Sequence, residues 1–538
     1  MYGKLHSACL HGIDGVVIQV EVDLANGLPQ TSIIGLPDSS IRESVERVRA
    51  AIKNCGFEYP LKRITINLAP ADLRKEGSSF DLAVALGILI TSEQLEFKDA
   101  ASLLIIGELA LDGALRPVTG VLPMVEQAKR DGFRGVLLPM ENVQEASLIG
   151  GIEVYGLPHL KELAGDDGPM RSNPSRASKL PSAAVSLSRL RYTGRLEHSN
   201  EAADRSREEP LEDYKDVLGH QHIKRALTIA AAGMHNIMLI GPPGTGKTML
   251  MKRLPTILPP LAEEEALTTT KIFSAAGKLK KTEGLMTKRP FRSPHHTISA
   301  AGLIGGGTIP KPGEVSLAHK GILFLDELPE FSRHVLEVLR QPLEDREVTI
   351  SRARAVFTFP AHFMLACSMN PCPCGYYGSD HPAQQCTCSV ARIAQYRARI
   401  SGPLMDRIDL QVDVPRPKEW PGSTPPLSSK AIRDQVYAAQ TIQLERYRRL
   451  PIRWNSELFG SYLRTHAALD KASAELLQVT LDSLGLSMRA YDRILKLART
   501  IADLEASADI QSRHVAEAIQ YRQLDRQYIV TEEPGSRL

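Results

Sequence analysis

The sequence predicts an α/β protein with an α+β N-terminal domain, a core built on a parallel sheet, and a helical C-terminal domain. Three observations support this prediction. A glycine-rich loop, GPPGTGKT, stands between a strand-like run and a helix-like run. About 75 residues further on, the apolar run ILFL ends in two acidic residues. In the C-terminal part, apolar residues recur at helical spacing.

The first predicted domain covers residues 1–164, where strand and helix signals alternate. Apolar side chains at every second position, as in residues 16–22, are typical of a half-buried strand. Asp38 and Ser39 can cap a helix that runs to about Lys53, because such side chains accept hydrogen bonds from free backbone N–H groups. We predict further strands at 64–68 and 103–106 and a further helix at 82–90.

The rest of the chain divides into a linker, a core and a helical domain. Residues 165–210 are rich in Ser, Arg, Pro, Asp and Glu and poor in large apolar side chains, which predicts a linker. The core should cover residues 211–415, and a Pro- and Ser-rich stretch then leads into a helical lid within 416–538. Its two apolar stripes are Ile432, Val436 and Ala439, and Ile494, Leu497, Ala498 and Ile501.

Composition restricts the class of protein. With 538 residues, the chain is too long for a single hydrophobic core. A net charge of +3 does not by itself indicate nucleic-acid binding. The N-terminus lacks a basic segment followed by a long apolar run, and the longest apolar stretch, residues 82–90, is less than half a membrane span. We therefore expect a cytoplasmic protein without membrane contact.

The glycine-rich loop fits the G-x-x-x-x-G-K-[ST] phosphate-binding pattern at every fixed position. Its glycines let backbone N–H groups turn toward phosphate oxygens. Lys247 would reach the β- and γ-phosphates, and the hydroxyl of Thr248 would bind Mg²⁺. The predicted nucleotide contacts are Gly241, Pro242, Pro243, Gly244, Thr245, Gly246, Lys247 and Thr248.

The apolar run at 322–325 predicts a buried parallel strand with Asp326 and Glu327 at its C-terminal end. Asp326 would hold Mg²⁺, and Glu327 would act as the general base on the attacking water. An unrelated glycine turn and core strand would not explain both motifs in this order. The sequence therefore predicts an enzyme that uses ATP and Mg²⁺ and hydrolyses the nucleotide.

Two further positions resemble functional residues of AAA+ ATPases. A third apolar run, at 363–367, leads to Asn370, which resembles the sensor 1 residue that orients water beside the γ-phosphate. The segment PLMDRID resembles the one that carries the arginine finger. Arg407 would then act on a neighbouring protomer's γ-phosphate, an effect worth roughly 10³ to 10⁵ in rate. The other interpretation of Arg407 is a surface ion pair with Asp406 or Asp409.

Two more segments extend this resemblance. SMRAY is similar to the sensor 2 motif of the helical lid, which would bring Arg489 near the nucleotide. YKDVLGHQHIKRAL is similar to the segment that flanks the adenine, with Val217 and Gly219 as contacts. An arginine finger that acts on a neighbour requires a ring or a dimer of protomers.

Several long segments resemble one family, the bacterial magnesium-chelatase-like AAA+ proteins typified by ComM, also called YifB. The matching residues are 289–296 (RPFRSPHH), 305–307, 313–319 (GEVSLAH), 328–331 (LPEF), 370–375 (NPCPCG) and 487–504. This resemblance implies a homohexameric ATPase that binds single-stranded and branched DNA in its pore. It also implies branch migration in the homologous recombination that accompanies natural transformation, with recombination proteins as candidate partners.

A basic segment offers a route to DNA contact. In EVTISRARAVF, strand-like flanks surround Arg352 and Arg354, which could hold phosphates of a single strand. The alternative is an exposed hairpin with solvated arginines. His295 and His296 lie in a polar loop, where a structural role and a functional role stay equally open.

Five of the seven cysteines crowd between Cys367 and Cys388. Two C-x-C pairs supply four soft ligands, the number that a closed tetrahedral zinc site needs. We predict structural Zn²⁺ on these pairs, against the alternative of four reduced thiols, and we expect Cys367 to be a small core residue. The four candidate ligands are Cys372, Cys374, Cys386 and Cys388.

The N-terminal domain suggests a rival function. The segments KEGSS and GELALDG are similar to the proteolytic domain of the Lon family, whose serine and lysine form a catalytic dyad. The resemblance aligns Ser79 with the nucleophile but Leu122 with the lysine, and leucine cannot accept the serine proton. We therefore expect a Lon-like domain without proteolysis. A third reading is a magnesium-chelatase-like regulator that acts on a protein partner.

Overall fold

The computed structural model describes residues 2–164, 183–194, 212–280, 284–307, 310–352, 355–378, 385–416, 427–485 and 487–522. Contacts between residues separate two compact units, which are Met1–Arg207 with Ala266–Met286, and Glu208–Glu265 with Thr287–Leu538. Each unit has its own sheet and its own apolar core. Among the described helices, none combines the length and the apolar character that a bilayer crossing requires.

The first unit is built on a seven-stranded mixed sheet. Its strands, in spatial order, are Glu153–Leu157, Gly135–Pro139, Leu103–Ile105, Tyr2–His11, Asp14–Ala25, Arg63–Ala69 and Gln30–Ile34. The strands Tyr2–His11 and Asp14–Ala25 form a long antiparallel hairpin at the centre of the sheet. Two short ladders join Leu95–Glu96 with Ala183–Ala184, and Glu108–Leu109 with Leu115–Arg116.

The helices of this unit follow the predicted pattern. Ser39–Asn54 begins where Asp38 accepts a hydrogen bond from the backbone N–H of Ile41 at 2.8 Å. Asp81–Thr91 is buried on almost every side, as its continuous apolar sequence predicts. The remaining helices that lie wholly in the unit are Val121–Arg130, Val143–Ala146 and Leu187–Leu190.

Part of the predicted linker lies within the described residues and belongs to the first unit. Residues 183–194 include a short strand and a short helix, and Leu190 is buried. The backbone N–H of Tyr192 donates to the carbonyl of Val154 at 2.8 Å. The apolar side chain of Leu190 therefore packs into the core of the first unit, although the overall composition of the stretch is polar. The rest of the predicted linker lies outside the described residues.

The second unit contains a five-stranded, fully parallel sheet, as the three apolar runs predict. Its strands, in spatial order, are Phe291–Arg292, Ile322–Leu325, Met364–Met369, Ile237–Ile240 and Leu410–Asp413. Two hairpins stand apart from it, Gly305–Gly306 with Lys311–Pro312 and Glu347–Arg352 with Ala355–Pro360. Because all five strands are parallel, their C-terminal ends meet at one side of the sheet.

Helices cover this sheet and form the C-terminal part of the unit. Those of the core are Gln221–Gly233, Lys247–Lys252, Ala300–Ile304, Glu314–Leu317, Arg333–Glu337, Arg340–Asp345, Val390–Arg397 and Gly402–Met405. Those of the C-terminal part are Ser429–Arg446, Gly460–His466, Lys471–Leu484, Met488–Leu504 and Ser512–Gln520. The helix Glu263–Ala275 begins in the second unit and ends in the first. Both predicted apolar stripes are buried in the core of the second unit.

Candidate active site

The glycine-rich loop lies between the strand Ile237–Ile240 and the helix Lys247–Lys252. Gly244 and Gly246 have φ angles of +78° and +83°, which an L side chain adopts only with strain. The Lys247 ammonium donates to the carbonyl oxygens of Gly241 at 2.7 Å and Pro242 at 2.8 Å. The predicted phosphate loop is therefore a closed turn with its lysine folded across it.

Lys247 also reaches the predicted sensor. Its Nζ lies 3.2 Å from Oδ1 of Asn370, which follows the neighbouring strand Met364–Met369. Burial lowers the pKa of Lys247, and the carboxylates of Asp326 and Glu327 oppose that effect. A buried cation held by neutral oxygens is suited to bind an anion, because phosphate oxygens offer stronger acceptors than carbonyls do.

Thr248 and Asp326, the two predicted metal-binding residues, contact each other. The Thr248 hydroxyl donates to Oδ2 of Asp326 at 2.8 Å, and the Ser368 hydroxyl donates to Oδ1 of the same carboxylate. Hydroxyl and carboxylate oxygens are the hard donors that Mg²⁺ prefers, so these residues fit that ion. Sequence reasoning missed Ser368. A polar residue in an otherwise apolar strand beside the acidic strand was the available signal.

Glu327 has an unusual backbone and an accessible side chain. Its φ of +53° lies in the left-handed region, where a non-glycine residue is strained. Its backbone N–H donates to Oδ1 of Asp326 at 3.1 Å, and its side chain is 57% exposed. The Nδ1 atom of His296 lies 3.9 Å from Oε2 of Glu327. The structure thus brings one of the two loop histidines beside the predicted general base.

The predicted adenine-flanking segment is fixed by a buried lysine. Nζ of Lys224 donates to the carbonyls of Val217 at 2.7 Å and Tyr214 at 3.0 Å. The Tyr214 hydroxyl donates to the carbonyl of Leu250, in the helix that follows the phosphate loop, at 2.8 Å. Val217 is buried, whereas Gly219 is half-buried with a φ of +67°. These contacts tie the segment to the phosphate loop.

The polarity of the sheet divides the candidate residues into two groups. Lys247, Asp326 and Asn370 follow the C-terminal ends of their strands, and we call this side the phosphate end. Arg407 precedes the strand Leu410–Asp413, which runs parallel to Ile237–Ile240. It therefore lies at the opposite side, which we call the finger end. A four-residue strand separates the two ends by about 13 Å.

Arg407 is held within its own chain at the finger end. It forms an ion pair with Glu344, donates to the carbonyl of Pro403 and is 8% exposed. Burial lowers its pKa, and three neighbouring arginines lower it further. The alternative of a surface ion pair with Asp406 or Asp409 is wrong for the described residues, because those carboxylates pair with Arg489 and Arg493 instead.

Arg489 lies at the finger end too. It lies in the first turn of the long helix Met488–Leu504, its side chain is 70% exposed, and its Nη1 atom is 3.7 Å from Oδ2 of Asp406. One turn further on, Arg493 pairs with the buried carboxylate of Asp409 at 2.5 Å. The structure therefore groups Arg489 with Arg407, and it brings neither arginine to the phosphate loop of the same chain.

The four predicted cysteine ligands converge. Their Sγ atoms all lie within 4.8 Å of one another, and three of the separations are 3.3, 3.6 and 3.7 Å. A tetrahedral zinc site with Zn–S bonds of 2.3 Å has sulfurs about 3.8 Å apart, so the cluster could hold such a metal. Cys367 is fully buried, as expected, and burial raises the pKa of its thiol.

The cysteine loop lies against the phosphate loop. Gly375 has a φ of +87°, and a Cβ atom added there would stand 2.6 Å from Cδ of Pro243. Cys372 follows Asn370 by two positions and is fully buried. A metal on this cluster would consequently stiffen the segment that carries the predicted sensor.

The predicted basic hairpin exists. Glu347–Arg352 and Ala355–Pro360 pair in antiparallel register, and the Arg352 guanidinium donates to the carbonyl of Gly307 at 3.0 Å. Gly307 follows the strand Gly305–Gly306 of the other hairpin. Arg354 lies outside the described residues. The contact with Gly307 brings the two hairpins of the second unit side by side.

The aligned protease position in the first unit holds no dyad. The Ser79 hydroxyl is buried and donates to the carbonyl of Ala8 at 2.9 Å. Leu122 is a buried core residue of the helix Val121–Arg130. The nearby Lys75 is also buried, and its ammonium donates to the carbonyl of Pro70. Among the described residues, the hydroxyl of Ser79 therefore donates to a carbonyl, and Lys75 donates to a different one.

Comparisons with known proteins agree with this architecture. Residues 213–420 match the family "Magnesium chelatase, subunit ChlI", residues 20–142 match "Subunit ChlI of Mg-chelatase", and residues 426–522 match "Magnesium chelatase, subunit ChlI C-terminal". The chain is 41% identical over 528 residues to the uncharacterized protein YifB of Salmonella typhimurium, with 97% of each chain covered. It is 41% identical over 529 residues to the competence protein ComM of Haemophilus influenzae, again with 97% of each covered.

The chain belongs to the ComM/YifB family of magnesium-chelatase-like AAA+ proteins. Membership confirms the fold class that the sequence predicts. Lon protease 2 of Bacillus subtilis is 28% identical over 167 residues, which are 28% of this chain and 30% of that protein. A Lon-like region is thus combined with a magnesium-chelatase-like AAA+ core and a helical C-terminal part. For a ComM/YifB protein of this class, ATP and Mg²⁺ are the implied cofactors.

Proposed function

We propose that this chain is a cytoplasmic ATP-dependent DNA motor that works as a homohexamer and drives branch migration in recombination. The observation that carries the motor assignment is the cluster of Lys247, Thr248, Asp326 and Asn370 at the phosphate end, with Arg407 at the other end of the same sheet. Recombination during natural transformation is proposed because a relative that matches over 97% of both chains is named a competence protein.

The separation of the two ends supports assembly of several copies. An arginine finger must reach the γ-phosphate, whereas Arg407 precedes its strand and the phosphate loop follows a parallel one, so the two lie at opposite ends of the sheet. A second copy that presents its finger end to the phosphate end would supply the missing charge. Glu344, which is exposed, already binds Arg407 as a phosphate would, so a neighbour's nucleotide could replace that carboxylate. Arg489 would arrive together with Arg407.

Hydrolysis then follows from the residues at the phosphate end. Lys247 binds phosphate oxygens, Thr248 and Asp326 hold Mg²⁺, and Asn370 senses the γ-phosphate. Glu327 takes the proton of the attacking water. Bound there, Mg²⁺ would supply positive charge that offsets the negative charge on the ADP leaving group. Glu327→Gln should therefore keep nucleotide binding and lower the rate of hydrolysis by a factor of roughly 10² to 10⁴, which is the usual effect of losing a general base.

DNA contact is proposed for the basic hairpin. Arg352 lies on an exposed antiparallel ladder, and Arg354 follows it in the sequence. If both arginines hold phosphates, binding of single-stranded DNA should weaken as the salt concentration rises. The logarithm of the binding constant should fall with the logarithm of the salt concentration, with a slope of about −0.7 per phosphate contact. Double substitution of Arg352 and Arg354 by Ala should abolish DNA-stimulated hydrolysis without weakening ATP binding. Unchanged stimulation would reject the hairpin as a DNA contact.

An ATP-dependent branch-migration assay on three- and four-stranded junctions tests the motor. The wild-type chain should displace strands with ATP, and Lys247→Ala should not. Recombination proteins are proposed partners, and adding them to the assay would test that point. Absence of displacement on every junction, with hydrolysis intact, would reject the DNA motor.

A regulator that acts on a protein partner is the alternative. It is favoured by the match of residues 213–420 to a magnesium-chelatase subunit. The two functions predict opposite responses of the ATPase rate to single-stranded DNA. Strong stimulation supports the motor, and indifference to DNA supports the regulator.

We also propose that the cysteine cluster binds structural Zn²⁺ and that the Lon-like region serves assembly or DNA binding without proteolysis. Purified protein should contain about one equivalent of zinc. Less than about a tenth of an equivalent would reject the zinc site. ATP-dependent casein degradation that disappears in Ser79→Ala would reject the non-proteolytic assignment.

A further inference from the structure

The loop that joins the strand Phe291–Arg292 to the helix Ala300–Ile304 carries the histidine pair. The strand lies parallel to Ile322–Leu325, with Arg292 opposite Leu323. Since both strands end at the phosphate end of the sheet, the loop passes beside the carboxylates that follow Leu325. Arg292 forms a two-point ion pair with Glu314, which anchors the start of the loop.

The two histidines have different surroundings. Nδ1 of His295 lies 2.9 Å from the hydroxyl of Thr297, so its polar contact is within the loop. His296 instead turns Nδ1 toward Glu327, at 3.9 Å from Oε2. The imidazole of His296 lies beside the ring of His295, with centroids 4.1 Å apart, and in a T-shaped arrangement with Phe331, with centroids 6.3 Å apart.

Among the described residues, His296 is the only basic side chain within 4.0 Å of the Glu327 carboxylate. The separation of 3.9 Å is longer than a hydrogen bond. The exposed side chain of Glu327 has three rotatable bonds, so a movement of less than about 1 Å would bring its carboxylate oxygen within hydrogen-bond distance of Nδ1. An Nδ1–H donor would then bind one carboxylate oxygen and leave the other free to accept the proton of water. Catalytic hydrogen bonds that are long in the free enzyme commonly shorten once the substrate is bound.

We propose that His296 positions the carboxylate of Glu327 for water activation, whereas His295 only supports the ring of His296. This inference rests on the proposed ATPase function. Restricting the carboxylate of an exposed glutamate raises the fraction of time that it faces the attacking water. The left-handed backbone of Glu327, with φ +53°, also restricts where its side chain points, so the strain and the histidine act on the same group.

The test compares His296→Ala with His295→Ala in the full chain. His296→Ala should lower kcat by about tenfold or more, because positioning of a catalytic base is lost. Its KM and its Kd for a fluorescent ATP analogue should stay within about twofold, since His296 contacts neither the phosphate loop nor Thr248 among the described residues. His295→Ala should keep kcat within about threefold, and His296→Asn, which retains a donor, should recover part of the loss.

A second comparison separates positioning from a general effect on structure. In a Glu327→Gln background, His296→Ala should cause no further loss of single-turnover rate, because the two residues act as a unit. An unchanged kcat in His296→Ala would overturn the inference. So would a loss of equal size in the Glu327→Gln background, or a parallel loss of nucleotide affinity. If Glu327→Gln itself keeps the wild-type kcat, the proposed hydrolytic role of Glu327 fails, which is a separate outcome.

Discussion

The two ends of the parallel sheet carry different parts of the proposed chemistry. At the phosphate end, Thr248 contacts Asp326 and Lys247 contacts Asn370 within a single chain. At the finger end, Arg407 and Arg489 pair with the carboxylates of Glu344 and Asp406 of their own chain. In the proposed mechanism, one copy supplies all the residues of the phosphate end, and a second copy would supply the arginine charge for fast hydrolysis.

The largest expected effect is the loss of the finger. Arg407→Ala should lower kcat by roughly 10³ to 10⁵, which is about 4 to 7 kcal/mol of barrier. Nucleotide affinity should change little, because the phosphate end stays intact. Steady-state ATPase assays and nucleotide titration measure the two quantities.

Mixed rings test whether the finger acts between copies. Arg407→Ala and Lys247→Ala protomers are each inactive, but a mixture joins the intact phosphate end of the first to the intact finger end of the second. About a quarter of the sites should recover in an equal mixture. If the mixture stays as inactive as either variant alone, the two ends do not meet across an interface.

The next effect concerns the stability of the finger end. Burial alone would raise the pKa of Asp409, but Arg493 and His235 hold that pKa below its ordinary value. Asp409→Asn breaks a buried ion pair and should destabilise the second unit by about 3 kcal/mol. Denaturant unfolding measures this loss, and Asp406→Asn, on an exposed pair, is the control that should change by less than about 1 kcal/mol.

The same carboxylate predicts a pH dependence. A lowered pKa in the folded state means that the stabilisation is present above the unfolded value of about 3.9 and is lost as pH falls below it. The free energy of unfolding should therefore fall less steeply with decreasing pH, below about pH 4, in Asp409→Asn than in the wild type. An identical fall in the two proteins would show that Asp409 does not set it.

A smaller effect is expected at Arg489. Its side chain is exposed, so a charge-assisted contact with a neighbour's nucleotide would contribute about 1.5 to 3 kcal/mol. Arg489→Ala should accordingly lower kcat by roughly tenfold to a hundredfold, with folding unchanged. If the loss appears in nucleotide affinity of isolated protomers, Arg489 acts within its own chain and the grouping with Arg407 is wrong.

The smallest effect belongs to Ser368 at the phosphate end. Its hydroxyl donates to Asp326, and such a bond contributes about 1 kcal/mol. Ser368→Ala should raise the Mg²⁺ concentration needed for half-maximal ATPase rate by about fivefold. Thr248→Ala, which removes a proposed ligand, should raise it more, and equal requirements in Ser368→Ala and wild type would remove Ser368 from the site.

Much of the fold could be predicted from the sequence because the signals are local. The cap at Asp38, the alternation in Asp14–Ala25 and the stripe of Met488–Leu504 each depend on neighbours along one element. The order of the five parallel strands could not be predicted in this way. It depends on which apolar faces pack together across long sequence separations.

The candidate site shows the same division. The phosphate loop and the acidic pair carry fixed spacings, so residue types alone predicted their chemistry. Ser368 and His296 carry no such spacing, because their roles come from the strands beside the acidic one. The sequence also left the two histidines equivalent, and only the turn of the loop distinguishes them.

By itself, the sequence predicted the class of chemistry: a phosphate loop, candidate metal-binding oxygens, a candidate general base and four candidate sulfur ligands, each defined by residue type and local spacing. The tertiary structure alone decided which groups share an end of the sheet, that the four sulfurs converge, and that Arg407 lies at the opposite end of the sheet from the phosphate loop. The physical reason is that parallel strands fix a direction. A residue's distance from the nucleotide follows from whether it precedes or follows its strand, and sequence separation does not encode that distance.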